Sequence, residues 1–193
     1  MKNKQRKISG ILLAGGSASR FGGDKLLHPL EDGVAIAAHA ARTLIAAGLE
    51  VVAVVRSGDF PLYDMLEQEG CSVTFCQHTA RGMGASLAHG VETARNADGW
   101  VIALGDMPRI RPDTIQLVVQ ALTEGAAIAA PAYRGERGHP VGFSAQFRSE
   151  LTALSSDSGA RAILERHRDN IRLIDCDDPG VLYDIDRRTD LSA

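Results

Sequence analysis

Through the first two thirds of the chain, short apolar, β-rich runs alternate with longer runs in which apolar residues recur every three or four positions. This is the pattern of parallel strands joined by crossover helices. It predicts strands at Ile8–Ala14, Glu50–Arg56, Ser72–Cys76, Trp100–Leu104 and Ala127–Ala130. Between them it predicts helices over Val34–Ala47, Pro61–Gln68, Ala85–Arg95 and from Pro112 to about Thr123. Gly48 closes the first of these helices, and Pro112 with Asp113 opens the last. The final third is less regular. A polar loop from Tyr133 to Gly138 runs into His139-Pro140-Val141-Gly142-Phe143. Short helices follow near Gln146–Ala153 and Ser158–Arg166, then strands at Ile171–Asp175 and Val181–Ile185. The expected fold class is α/β, a three-layer α/β/α sandwich around a mostly parallel, Rossmann-like sheet. No linker, low-complexity stretch or internal repeat divides the chain, so one domain over 1–193 is expected.

Composition narrows the partners. The 193 residues are 45% hydrophobic, enough for a substantial core, and the formal net charge of −3 provides no global basic field. Nucleic acid is therefore not an expected partner, and an anionic ligand must be met by local cations. The apolar stretch after the basic N-terminus is too short for a signal peptide, and Ala35 to Val55 carries His39, Arg42 and Glu50, so no membrane role is expected. Three cysteines, Cys71, Cys76 and Cys176, form no C-x-x-C pair. They suggest neither a disulfide framework nor a zinc site, which fits a reducing cytoplasm. Cys71 and Cys76 are expected in the core around the third strand, and Glu165 to Asp169 at a solvated helix end.

The candidate chemistry begins directly after the first strand, in Leu13-Ala14-Gly15-Gly16-Ser17-Ala18-Ser19-Arg20-Phe21-Gly22-Gly23-Asp24-Lys25. Glycines beyond the carboxyl end of a strand let backbone N–H groups approach phosphate oxygens, and Arg20 and Lys25 can add positive charge. Two better-known loops do not fit. A P-loop needs Gly-Lys-[Ser/Thr], whereas Asp24 separates Gly23 from Lys25 and Leu26 follows. The dinucleotide fingerprint G-x-G-x-x-G is absent, Gly82-Met83-Gly84 offering only its first half. A tight glycine turn with incidental charges is the plain alternative.

The segment resembles the signature loop of nucleotidyltransferases with a glycosyltransferase-A-like fold, of the nucleotide-diphospho-sugar transferase type. Within that superfamily the chain is most similar to the molybdenum-cofactor nucleotidyltransferases. Gly105-Asp106-Met107-Pro108, Arg137-Gly138-His139-Pro140-Val141 and Tyr183-Asp184-Ile185-Asp186 carry the resemblance further, over nearly the whole chain. It implies a nucleotide part over 8–110 and an acceptor part over 127–193. Leu13, Ala14, Gly15, Gly16, Ser17, Arg20, Lys25, Gly82, Met83, Gly84 and Ser86 would hold a nucleoside triphosphate. Arg137, Gly138, His139 and Pro140 would face the acceptor. Asp106 and Asp186 would hold Mg²⁺, and Arg20, Lys25 and Asp106 would be the catalytic residues. Asp184, at alternate spacing along the strand expected at Val181–Ile185, would share the face of Asp186 and is a third candidate for the metal.

Plainer roles stand beside several of these. Asp106 would serve a turn, Asp186 a helix starting near Arg187, and Ser86 the start of its own helix. His139, extended before a proline, would fix a turn. Asp157 and Ser158, similar to a second acceptor-side segment, would cap a helix.

The implied reaction is transfer of a nucleoside monophosphate to the terminal phosphate of molybdopterin or molybdenum cofactor, with release of pyrophosphate. A molybdoenzyme or its chaperone would be the further partner. Gly138-His139-Pro140 favours the branch of the family that uses CTP, whereas Leu13-Ala14-Gly15-Gly16 is typical of the branch that uses GTP, and the later motifs carry the greater weight. A sugar-1-phosphate nucleotidyltransferase would use the same loop but usually carries longer insertions. A silent nucleotide-binding regulatory protein would not need Arg20, Lys25, Asp106 and Asp186 together. A flavin- or nicotinamide-dependent oxidoreductase lacks its fingerprint.

Overall fold

The structure, a computed structural model, describes residues 6–16, 20–79, 82–155 and 159–192. Strands β1 (Ile8–Ala14), β2 (Glu50–Arg56), β3 (Ser72–Cys76) and β4 (Gly99–Leu104) alternate with helices α1 (Ile36–Ala46), α2 (Phe60–Gln68) and α3 (Met83–Thr93). Then come α4 (Pro112–Thr123), β5 (Ile128–Tyr133), β6 (Glu136–Arg137), β7 (Val141–Ser144), α5 (Arg148–Thr152), α6 (Arg161–Arg166) and β8 (Ile171–Asp175). Among the described residues these strands form one eight-stranded sheet. Its first half runs β3-β2-β1-β4, all parallel, and β7 then pairs antiparallel with both β4 and β5.

Alternation along each central strand explains the layers. In β1, Ile8, Leu12 and Ala14 enter the core shared with α1, α2 and α4, while Ile11 and Leu13 enter the core shared with α3, α5 and α6. β2 and β4 repeat the division: Val51, Ala53, Val101 and Ala103 face one way, Val54, Trp100 and Ile102 the other. A strand buried on both faces must be apolar throughout, which is why these runs lack polar alternation in sequence. The expected α/β/α sandwich is the observed architecture.

Element ends differ where local geometry overrides periodicity. α1 starts at Ile36 rather than Val34, because Val34 accepts a hydrogen bond from Leu30 N–H and Ala35 bridges to Pro29. α3 begins at Met83, two residues before the expected start, with Gly82 as its N-cap. The segment expected as one helix from Gln146 opens with a 3-10 turn, Ala145–Phe147, and the helix expected from Ser158 is helical only over Arg161–Arg166, Asp157 and Ser158 lying outside the described residues.

Two differences are larger. β6 and β7 have no counterpart in the periodicity reading. Ala132 pairs with Arg137 on one side and Asp175 on the other, and Ala129 with Gly142 and Arg172. β6 and β7 therefore share one edge of β5, with β8 along the other. From Ala129 to Ala132 β5 advances three residues while its partner advances five from Arg137 to Gly142, so two extra residues bulge out around His139 and Pro140. Such a bulge breaks the period-two pattern and re-aims its side chains. The peptide bond between His139 and Pro140 is cis.

The strand expected at Val181–Ile185 is not formed. Pro179–Leu182 is a 3-10 turn, and Tyr183 to Asp186 is irregular. Asp178 is responsible: 1% exposed, it accepts hydrogen bonds from Gly180 N–H (3.0 Å), Arg111 N–H (2.9 Å) and the Thr114 hydroxyl (2.7 Å). It thereby clamps the turn to the start of α4. The approach is so close that a Cβ on Gly180 would stand 2.2 Å from the Arg109 carbonyl oxygen. Beyond the turn, Ile185 N–H donates to the Asp106 carbonyl at 2.9 Å, which lays this last segment across the end of β4. No helix among the described residues is long and apolar enough to cross a membrane.

Replacing Asp178 with Ala strands two N–H groups, of Gly180 and Arg111, and the buried Thr114 hydroxyl. A loss of about 1.5–3 kcal/mol or more in unfolding free energy is expected in urea denaturation, together with a displaced Asp184–Asp186 segment.

Candidate active site

The order β3-β2-β1-β4 makes β1 and β4 the place where successive crossovers leave in opposite directions, and an open α/β sheet forms its ligand crevice outside the carboxyl ends of the strands there. A cleft of about 800 Å³ lies at that point. Its floor is Leu13, Gly15 and Gly16 from the end of β1 and Leu104 and Asp106 from the end of β4. One wall carries Arg20, Lys25, Asp184 and Asp186, and the other Arg56, Thr79, Gly82, Met83 and Ser86. Gly15 is where the floor needs a glycine, since a Cβ there would stand 2.9 Å from the Thr79 methyl and 3.3 Å from Ser86 Oγ.

At the β4 end the charged groups converge. Asp106, Asp184 and Asp186 each present a carboxylate oxygen within 4.8 Å of the others. Lys25 Nζ lies 2.8 Å from Asp106 Oδ2 and 3.5 Å from Asp186 Oδ1, and Arg20 Nη1 is 2.8 Å from Asp186 Oδ2. Burial, then the carboxylates of Asp106 and Asp186, push the Asp184 carboxyl up from its ordinary value. Three hard oxygen donors this close suit a small divalent cation such as Mg²⁺ or Mn²⁺, which takes carboxylates together with phosphate and water oxygens.

Apolar packing joins the two halves of this charged wall. Phe21, next to Arg20, is buried against Ile36 and Ile185, with Leu26, Tyr183 and Leu191 around them. Ile185, between the two acids, thus anchors both Asp184 and Asp186. The Arg188 guanidinium lies over the Phe21 ring, 5.2 Å from its centroid. Asp190, inside the 3-10 turn Arg188–Ser192, accepts hydrogen bonds from Asp186 N–H (2.9 Å) and Arg187 N–H (2.7 Å) and so ties the backbone at Asp186 to that turn.

The expected site residues fall into three groups. Leu13, Gly15, Gly16, Arg20, Lys25, Gly82, Met83, Ser86, Asp106 and Asp186 line one cleft. Ala14 and Gly84 are buried behind its surface, Ala14 in the core and Gly84 within α3. Ser17 lies outside the described residues. Arg137, Gly138, His139 and Pro140 do not line the cleft: Arg137 is exposed on β6, and Gly138 and Pro140 are buried in the bulge. His139 N–H donates to the Val181 carbonyl at 2.9 Å, and its Nδ1 is buried with no hydrogen-bond partner. Burial, then Arg137, lowers the imidazole from its ordinary 6.5 to about 4, opposed by Asp106, so it is neutral at physiological pH. Cys71 and Cys76 are buried as expected, and burial pushes the Cys71 thiol up to about 11.

Sequence reasoning passed over Arg56 and Thr79. Arg56 ends β2, the strand beside β1, so its place at a carboxyl end in the parallel half was the available signal. Thr79 lies in a turn region with no pattern to mark it.

A glycine floor, three cations and a carboxylate cluster at the switch point of this sheet define a nucleotide-binding α/β protein of the nucleotidyltransferase type. The chain belongs to the family of MobA-like NTP transferase domains, whose pattern matches residues 10–171. Purine catabolism protein PucB of Bacillus subtilis (strain 168) is 30% identical over 190 residues, 93% of this chain and 91% of that protein. Nicotine blue oxidoreductase of Paenarthrobacter nicotinovorans is 29% identical over 93% of this chain and 92% of its own. A probable molybdenum cofactor guanylyltransferase of Thermococcus sibiricus is 35% identical over 68% of this chain and 65% of its own. Among solved structures, Rv0371c from Mycobacterium tuberculosis H37Rv superposes with a TM-score of 0.84 at 27% identity, over 97% of this chain and 96% of that one. A manganese complex of Rv0371c superposes with a TM-score of 0.79 at 26% identity, over the same shares.

His139 also yields a pH prediction. Its folded value is below its unfolded value, so between 6.5 and about 4 the unfolded chain takes up a proton that the folded chain refuses. Stability is then complete above 6.5 and declines as pH falls through that window, with a slope approaching about 1.4 kcal/mol per pH unit for one proton. Urea unfolding at a series of pH values should show this slope reduced in His139→Gln. An unchanged slope would place the imidazole in contact with solvent.

Proposed function

We propose that the chain is a Mg²⁺-dependent nucleotidyltransferase that transfers CMP from CTP to the terminal phosphate of molybdopterin or molybdenum cofactor and releases pyrophosphate. The observation that carries this reading is the meeting of Lys25, Arg20 and the three carboxylates beside the glycine floor of one cleft. Family membership supports the reaction class, and the Gly138-His139-Pro140 segment supports the acceptor and the cytidylyl branch. Residues 8–110 form the nucleotide part and 127–193 the acceptor part of a single domain.

The reaction is an in-line displacement. An oxygen of the acceptor phosphate attacks the α-phosphorus, the bond from that phosphorus to the β-phosphate bridging oxygen breaks, and pyrophosphate leaves with the bonding pair. A phosphate monoester is already ionised at neutral pH, so the acceptor needs no general base. Catalysis then comes from positioning and charge neutralisation. Backbone N–H groups around Gly15 and Gly16 cradle the polyphosphate, while Lys25 and Arg20 stabilise the charge gathering on the leaving group. Gly82, Met83 and Ser86 at the start of α3 hold the nucleoside side. Asp106 and Asp186, with Asp184, would hold Mg²⁺, which when bound lowers the negative charge that the incoming phosphate meets. The neutral His139, in the bulge beside Asp106, belongs to the acceptor side. The product would pass to a molybdoenzyme or its chaperone in the cytoplasm.

Two alternatives each have an observation behind them. Leu13-Ala14-Gly15-Gly16 and the guanylyltransferase relative favour GTP as donor. The relative named as an oxidoreductase favours a redox protein on the same fold.

Pyrophosphate release, measured with equimolar CTP and GTP in competition, Mg²⁺ and molybdenum cofactor as acceptor, is expected to follow CTP. A GTP preference reverses the donor, and nicotinamide dinucleotide binding without pyrophosphate release with any triphosphate sinks the transferase reading. Asp106→Ala keeps the main-chain carbonyl that receives Ile185 N–H and removes only the carboxylate. It should abolish pyrophosphate release, a loss of at least about 10³-fold, with the fold kept by circular dichroism but the unfolding temperature lowered, because the buried Lys25 ammonium loses its nearer carboxylate. Near-normal turnover would remove Asp106 from the mechanism.

A further inference from the structure

Among the described residues, two of the three cations that line this cleft, Lys25 and Arg20, are already engaged with its acids. Lys25 Nζ contacts Asp106 Oδ2 at 2.8 Å and Asp186 Oδ1 at 3.5 Å, and Arg20 Nη1 holds the other oxygen of Asp186 at 2.8 Å. Of the four carboxylate oxygens on Asp106 and Asp186, three therefore face a cationic nitrogen. The Lys25 side chain is only 10% exposed, so its ammonium depends on these carboxylates rather than on water, whereas Arg20 is 68% exposed. A divalent cation bound by Asp106 and Asp186 needs the lone pairs of the same oxygens and is repelled by an ammonium beside them. Lys25 can leave only if another anion receives it, because an unpaired buried charge is costly. The cleft offers one source: the phosphates of a nucleotide on the glycine floor, within reach of the same wall.

We infer that Lys25 and Arg20 are resident counter-ions of the carboxylate cluster and that they make divalent-metal binding conditional on a triphosphate. The phosphates draw the two side chains off Asp106 and Asp186, and the metal takes the vacated oxygens. Linkage makes the effect reciprocal, so the metal strengthens triphosphate binding by the same factor. The benefit is control over charge: the acids are neutralised in both states, and a metal ion without its nucleotide gains little from the site. The inference rests on the reading of Asp106, Asp184 and Asp186 as a metal cluster, and it assigns to Lys25 a role opposed to metal binding when nucleotide is absent.

That opposition gives a test independent of turnover. Mn²⁺ alone is titrated into the full chain and followed by the electron paramagnetic resonance signal of the free ion. Removing a unit charge about 4 Å from a divalent ion should tighten binding on the order of 10- to 30-fold even in a water-like medium. Lys25→Met should therefore bind nucleotide-free Mn²⁺ more tightly than the wild type while losing pyrophosphate release, and adding Asp186→Asn should remove the gain. Arg20→Ala, a substitution at an exposed side chain, should tighten Mn²⁺ binding by a smaller factor and decides the matter if Lys25→Met does not fold. Mn²⁺ binding by a folded Lys25→Met, or failing that by Arg20→Ala, that is no tighter than wild type overturns the inference. If turnover stays metal-dependent in that case, the proposed function stands without it. If no form binds Mn²⁺ with or without CTP and pyrophosphate release is absent, the metal-cluster reading falls as well.

Discussion

Asp106 is held from two directions, and the cleft depends on both. Its carboxylate receives the Lys25 ammonium at 2.8 Å, and its main-chain carbonyl receives Ile185 N–H at 2.9 Å. The first contact reaches back 81 positions to the segment after β1, and the second reaches forward to the end of the chain. One residue at the tip of β4 thereby joins three stretches that share no local structure. The main-chain contact, together with Lys25 between Asp106 and Asp186, brings the last segment's acids beside a third carboxylate.

Bringing three acids together is electrostatically unfavourable, and the surrounding structure opposes the repulsion in two ways. Lys25 and Arg20 neutralise part of the charge directly. Packing does the rest: Ile185 is fully buried against Phe21 and Ile36, so moving Asp184 or Asp186 away would expose apolar surface. On the other side of the segment, Asp178 fixes the turn that leads into it through three hydrogen bonds to groups near α4 and within the turn itself. The acids are thus held in place by packing and by the Asp178 turn, and Lys25 and Arg20 serve as their counter-ions.

Much of the frame was legible from pattern alone. β1, β2, β3 and β8 have the bounds that the pattern assigned; for β1 and β2 the reason is that apolar runs such as ILLA and VVAVV suit strands covered on both faces. The glycine floor and its two cations could be read from order and spacing, as could Asp106 just beyond β4. What eluded the pattern was the last third. The bulge at His139 and Pro140 interrupts the alternation that would have revealed β6 and β7. The alternation of Val181 to Ile185 resembles a strand, but Pro179 and the buried Asp178 turn it into a 3-10 turn.

Sequence by itself determined the α/β/α class, the place of the cleft and the presence there of Arg20, Lys25 and Asp106, because each follows from the order of elements in the chain or from the direction of a strand. Only the tertiary structure decided that Lys25 and Arg20 pair with Asp106 and Asp186, that Asp184 joins them, that Arg56 and Thr79 reach the cleft, and that His139 stands in a bulge with a buried, unpaired nitrogen. These depend on contacts between residues tens to more than a hundred positions apart. A hydrogen bond from Ile185 to the Asp106 carbonyl leaves no trace in the identity of either side chain, since both groups belong to the backbone.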